Sequence, residues 1–254
     1  RSIEWLQSAL FESDFRPENL SRIRDAIDQE LGQLRGTMSG SEESWVQNPV
    51  YTFWRQENPL LMACNSFLTR VHMLHRLKWL LRPSGSPTAG DGFSRFMNQL
   101  ASSCAGMNRT DIEHILSVMV GEKNDTTAGE RPIIALAAQA VSQKPEVAPV
   151  ILDAVKDLRQ SLNDMPDASL QTGLAYLCKQ MDADFRFPAQ QALEQIKAVL
   201  AMTLRADNVR GFVIGSSRSQ EQIMPALAKV VERLDKTPSV QQNYSGTPWV
   251  TKHL

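Results

Sequence analysis

His72 and His75 stand three residues apart in a stretch with helical apolar spacing, a separation at which two imidazoles can reach one metal ion. A catalytic zinc also needs a third ligand and a base, yet no Asp or Glu occurs between Asn58 and Gly90. Histidines on the surface or at an interface of a cationic helix are therefore the simpler expectation. Asp111, Glu113 and His114 invite an acid–base reading. Neighbours on a helix point about 100° apart, however, and a helix start at Thr110-Asp111-Ile112-Glu113 explains the two acids as capping residues. Gly215-Ser216-Ser217 lies between a β-branched run and an amphipathic run, where phosphate loops and nucleophile elbows sit. No GxxxxGK[ST], GxGxxG or GxSxG is present, so an ordinary turn is expected there. The densest charge signal is Pro59 to Arg82, which has no acidic residue but carries Arg70, Arg76, Lys78 and Arg82, with Phe67 and Trp79 interleaved. Arg70, His72, His75, Arg76, Lys78 and Arg82 are the candidate contacts for an acidic partner or a substrate.

Composition narrows the classes. The 254 residues are 42% hydrophobic, with 27 Lys and Arg against 28 Asp and Glu. A near-neutral chain lacks the cationic excess that nucleic acid or a polybasic membrane tether requires. No apolar run approaches the roughly 18 residues of a spanning helix. Neither nucleic acid nor membrane is an expected partner. Cys64, Cys104 and Cys178 are odd in number and widely spaced, which suggests neither a disulfide framework nor a zinc ribbon. The compartment stays open.

Most of the chain carries helical periodicity. Pro17 opens a series of Leu20, Ile23, Ile27, Leu31 and Leu34, expected to stop near Gly36 with a loop over 36–44. Asn48-Pro49 and Asn58-Pro59 are further breaks. Apolar side chains fall on nearly every side of a helix over 67–82, so we expect it largely buried, its cations at the edges. Linkers are expected at 84–92 and 121–129, with short helices at 93–104 and 110–120 between them. The stripe Val147, Val150, Ile151, Ala154, Val155, Leu158 and Leu162 predicts a helix, followed by another from Ser169 to Met181 and a third from Pro188. Short polar turns between the three imply mutual antiparallel packing. Residues 209–214 are the one expected strand, followed by a closing helix 219–235 with Ser219 as N-cap and a weakly periodic connection over 237–254. The organisation expected is a helical segment 1–83, a linker-rich segment 84–130 with short helices, and a helical bundle with the late strand over 131–254. A lone strand cannot satisfy its own backbone groups. Together with the first residue, Arg1, this suggests a piece of a longer chain.

The order of segments, and in particular Phe15-Arg-Pro-Glu-Asn-Leu-Ser-Arg-Ile-Arg-Asp-Ala-Ile-Asp-Gln, Asp164-Met-Pro-Asp-Ala-Ser-Leu and Asp207-Asn-Val-Arg-Gly-Phe-Val-Ile-Gly-Ser-Ser, resembles the non-catalytic portion of large insulinase/pitrilysin zinc metallopeptidases, near the presequence-protease branch. The resemblance implies an α+β but predominantly helical fold, part of one α/β half of such an enzyme. Residues 131–236 resemble the closing section of a domain and residues 1–82 the helices before it. It also implies a wall of a chamber that encloses unfolded peptides, with the remainder of the parent chain as partner. The family's H-x-x-E-H is absent, His72-Met73-Leu74-His75 is not that motif, and His114 has no partner at its spacing. No catalytic, cofactor-binding or metal-binding residue is therefore carried into this chain, and zinc is expected only in the parent enzyme. From other classes, the alternatives are a helical adaptor that binds a protein through the basic helix 67–82, and a hydrolase built on the Ser216 turn.

Overall fold

Ten α-helices and four short 3-10 turns make up nearly all of the described residues, 2–40, 67–82, 91–143, 145–209 and 213–238, of the computed structural model. In chain order the helices are α1 (Ser2–Phe11), α2 (Leu20–Gly40), α3 (Phe67–Leu80), α4 (Asp91–Ser103), α5 (Arg109–Met119), α6 (Arg131–Gln143), α7 (Ala148–Leu162), α8 (Leu170–Arg186), α9 (Ala189–Thr203) and α10 (Ser217–Glu232). The predominantly helical class read from the periodicity holds. Asn48-Pro49, Asn58-Pro59, the linker 84–90 and the connection 239–254 lie outside the described residues.

Local chemistry explains most boundaries. Pro17 sits in the 3-10 turn Pro17–Asn19 that feeds α2, where its fixed φ and missing N–H do no harm. The helix continues through Gly36 to Gly40 instead of stopping, because a helix already several turns long extends at only about 1 kcal/mol per glycine. Asp91 and Gly92 likewise belong to α4 and not to the linker. Asn108, not the Thr110 box, caps α5, accepting from the Asp111 N–H at 2.9 Å. That helix closes on Gly121 at φ +79°, with Gly121 N–H bonded to Val118 and Glu122 N–H to Ser117, each at 3.0 Å, a left-handed turn that suits glycine. Ser216 and not Ser219 caps α10, its hydroxyl accepting from the Ser219 N–H at 3.3 Å.

Two apolar clusters result. The larger joins α4 to α8 around Phe93, Phe96, Leu116, Leu158 and Leu174, with Trp79 of α3 inserted into it. The smaller joins Leu20, Ile27, Leu31 and Leu34 of α2 to Val71, Leu81 and, from α9, Ala192 and Leu193. Helix α3 thus serves both. Of the expected mutual packing of α7, α8 and α9, α7 and α8 do share the larger cluster, but Phe187-Pro188 ends α8 and the buried residues of α9 join the cluster of α2. Helices α1 and α10 lean together, with Arg233 4.3 Å above the Phe11 ring.

The expected strand at 209–214 is not seen. Among the described residues the sole β pairing is an isolated parallel bridge between Arg205 and Asp235, and Ile214 is 99% exposed. Residues 210–212 lie outside the described set. Ile214 is β-branched but has no ladder beside it among the described residues, and side-chain propensity alone does not make a strand.

Candidate functional site: the helix α3 seam and its cleft

Helix α3 carries every residue singled out as a contact candidate except Arg82, which follows it. The structure sets Arg70, Arg76 and Lys78 against carboxylates of the same chain. Arg76 presents Nε and Nη2 to the two oxygens of Asp184 at 2.9 and 3.0 Å, and this bond raises its pKa. Lys78 Nζ reaches Asp28 at 2.8 Å and Asp157 at 3.2 Å. Burial works against the Lys78 charge, but the two carboxylates outweigh it and its pKa rises. Asp157, 4% exposed, also accepts the Trp79 indole N–H at 2.9 Å. Burial pushes its carboxyl up, and Lys78 and Trp79 pull it back only in part. Arg70 meets Glu30 at 3.3 Å on the surface. Arg82 is 6% exposed with its Nη1 unbonded, and burial lowers its pKa. The charges of Arg70, Arg76 and Lys78, which no acid near them in the sequence balances, are compensated in space by α2, α7 and α8.

The histidines diverge from one another. His72 Nε2 lies 3.2 Å from the Tyr176 hydroxyl, and burial followed by the Arg76 charge lowers its pKa. His75, 2% exposed, receives the Arg35 guanidinium on Nε2 at 3.3 Å. Arg35 has only donors, so Nε2 must accept, which fixes the neutral tautomer with hydrogen on Nδ1. Burial first, then the charges of Arg35 and Lys78, hold the pKa of His75 at about 4. Nδ1 has no partner. A guanidinium on the outward nitrogen of His75 leaves this pair unsuited to sharing a metal ion, and the described residues contain no cluster of three His, Cys, Asp or Glu side chains able to hold one.

Between α3, the end of α7 and α8 lies a cleft of about 180 Å³. Val71, His75, Ser161 and Leu177 form its buried side, Leu68 and Tyr176 its exposed lip, and Asp164 and Met165 its end wall. Asp164 is committed to Arg35 at 2.7 Å. Gly173 lets α8 approach that wall: a Cβ there would come within 2.5 Å of the Met165 sulfur. Arg109 secures the same turn, donating to the Leu162 and Met165 carbonyls and to Asp167 at 2.7 Å.

His114 is not partnerless in space. Its Nδ1 lies 2.8 Å from Glu130 and its Nε2 3.5 Å from Asp125, clipping α5 to the loop before α6, and the Glu130 bond raises its pKa. Ser216 is occupied as a cap and also meets the Ser219 hydroxyl at 2.9 Å. Arg35, Ser161, Asp164 and Tyr176 escaped the sequence reading. Arg35 and Asp164 are 129 residues apart, and a single serine within an amphipathic stripe carries no signal of its own. Compared with family models, curated proteins and solved structures, the chain matches none.

Proposed function

We propose that the chain is a non-catalytic helical segment of an insulinase/pitrilysin-type zinc peptidase, contributing structure and chamber wall to an enzyme that degrades unfolded peptides. On this reading it supplies the helical layer of an α+β half whose sheet and zinc lie elsewhere in the parent protein. The observation that carries the proposal is the uncovered apolar surface of the C-terminal helices and α1. Val199 and Met202 of α9, Met224 and Val231 of α10 and Trp5 of α1 are all exposed, although α9 buries Ala192 and Leu193, α10 buries Val230, and the Phe11 ring of α1 lies under Arg233. Helices with apolar residues on two sides pack in layers, and exposed apolar surface marks where a further layer or partner belongs.

The adaptor alternative depends on free positive charge along α3. Arg76 and Lys78 are spent on Asp184, Asp157 and Asp28, and Arg70 shares its charge with Glu30, which leaves little field for an acidic partner. Sequencing the gene on both sides of this stretch tests the proposal. An H-x-x-E-H on a helical segment in the same reading frame is the expected result. A frame without it ends the peptidase reading.

A further inference from the structure

We propose that the cleft between α3, α7 and α8 is a binding site for a phenol-type ring, with the ring against Val71, Met165 and Leu177 and the ring hydroxyl on Ser161. The assignment concerns this chain's own cleft and does not rest on the peptidase reading. Size is the first constraint. A volume of about 180 Å³ is close to the roughly 150 Å³ that accepts benzene in an apolar cavity, and below the roughly 300 Å³ at which sites for larger ligands begin. One six-membered ring fits; a nucleotide does not.

Charge is the second constraint. The basic groups around the cleft are not available to an anion: Arg35 is bound to Asp164, Arg76 to Asp184, and His75 is held neutral between Arg35 and its buried surroundings. Asp164 on the end wall repels a carboxylate or phosphate. A cation would have to draw Asp164 away from Arg35. A neutral occupant remains.

The third constraint is an unused hydroxyl. Ser161 is 8% exposed and lines the cleft, and its Oγ makes no hydrogen bond to a described residue. A serine in a helix commonly returns its hydroxyl to the carbonyl four residues back, as Ser117 does to Glu113 at 2.6 Å. Ser161 does not. A purely apolar ring would strip water from this hydroxyl and leave it unpaired, whereas a phenolic O–H donates to it or accepts from it. The His72 and Tyr176 rings, with centroids 5.6 Å apart, border the cleft and offer edges to an incoming ring.

The test is a titration of the 254-residue chain with p-cresol and with toluene, followed by methyl NMR. The expected result is that p-cresol binds more tightly than toluene and shifts the methyls of Val71, Met165 and Leu177. Ser161→Ala should weaken p-cresol about 5–10-fold and leave toluene unchanged, the size of one hydrogen bond. Leu68→Trp, an exposed position at the lip, should weaken both. N-acetyl-tyrosinamide binding at the same methyls identifies a peptide tyrosine as the source of the ring; p-cresol binding without it identifies a free phenol. Equal affinity for p-cresol and toluene, no response to Ser161→Ala, shifts mapping elsewhere, or no binding would each overturn the assignment.

Discussion

Asp157 of α7 accepts the indole N–H of Trp79 from α3 at 2.9 Å, and this bond fastens the helix that both apolar clusters share to the larger of them. Trp79 fills the cluster with its ring and satisfies its only polar atom on a carboxylate that Lys78 also neutralises at 3.2 Å. Packing, hydrogen bonding and charge therefore converge within two successive residues of α3. Removal of Asp157 leaves both donors without that acceptor. Asp157→Ala should cost roughly 3–5 kcal/mol, the range for breaking a buried ion pair, and Asp157→Asn, which keeps an acceptor for the indole, about 1–2 kcal/mol. Urea unfolding of the two variants checks the order; equal and small losses would show that the bond holds nothing together.

His75 gives acid sensitivity of a defined sign. Its pKa in the folded chain, about 4, lies below the ordinary 6.5, so the unfolded chain binds the extra proton between those values. Stability should therefore fall as pH drops from about 6.5 to about 4 and level off below. The contribution is about 3 kcal/mol for a group this buried. Arg35 and Lys78 face the ring as cations and Asp164 and Asp28 as anions, so the His75 part must be isolated from the rest of the profile. The informative quantity is thus the difference from His75→Gln, whose stability should lose that part of the slope. Parallel pH profiles for the two proteins would contradict the assignment.

Leu193 tests the division into two clusters. It is fully buried against α2 and α3, not against the α4–α8 bundle. Leu193→Ala should cost roughly 2–5 kcal/mol and raise amide exchange across α9 and α2 first. Uniform acceleration through α4 to α8 would mean that the clusters unfold as one unit.

Cys104 and Cys178 are buried thiols, raised by burial to about 11 and about 12 respectively. The thiolate is the reactive form, so both should resist iodoacetamide at pH 8 in the folded chain and react on unfolding. Peptide mass mapping before and after denaturant distinguishes them. Labelling of either residue under native conditions would contradict their placement.

Helix positions were legible because one stripe of apolar side chains must face a core, and that requirement writes a 3.6-residue period into the sequence. The series of Leu20 to Leu34 and of Val150 to Leu162 became α2 and α7 with those residues buried, Ile23 only partly. Partner choice was less legible. Nothing in the period of α9 says that Leu193 joins α2 and not α8, since the stripe records burial and not the neighbour. The partners of the α3 cations were illegible for a related reason: the carboxylates of Arg70 and Arg76 lie 40 and 108 residues away, beyond any local window. The strand failed differently. A β-branched run satisfies propensity, but a strand exists only with a ladder beside it, and the described residues provide none at 209–214. In the candidate site His72 and His75 were found by type, whereas the neutrality of His75 and the unused Ser161 hydroxyl required knowing what stands next to them.

The proposal that this chain is an inactive structural part of a zinc peptidase calls for a comparison with the protein made from the full reading frame. Zinc content and cleavage of an unstructured fluorogenic peptide should be measured on both. Zinc and chelator-sensitive cleavage are expected in the full-length protein and neither in the 254-residue chain. Peptide cleavage by the 254-residue chain alone, or a full-length protein with neither zinc nor peptidase activity, would contradict it.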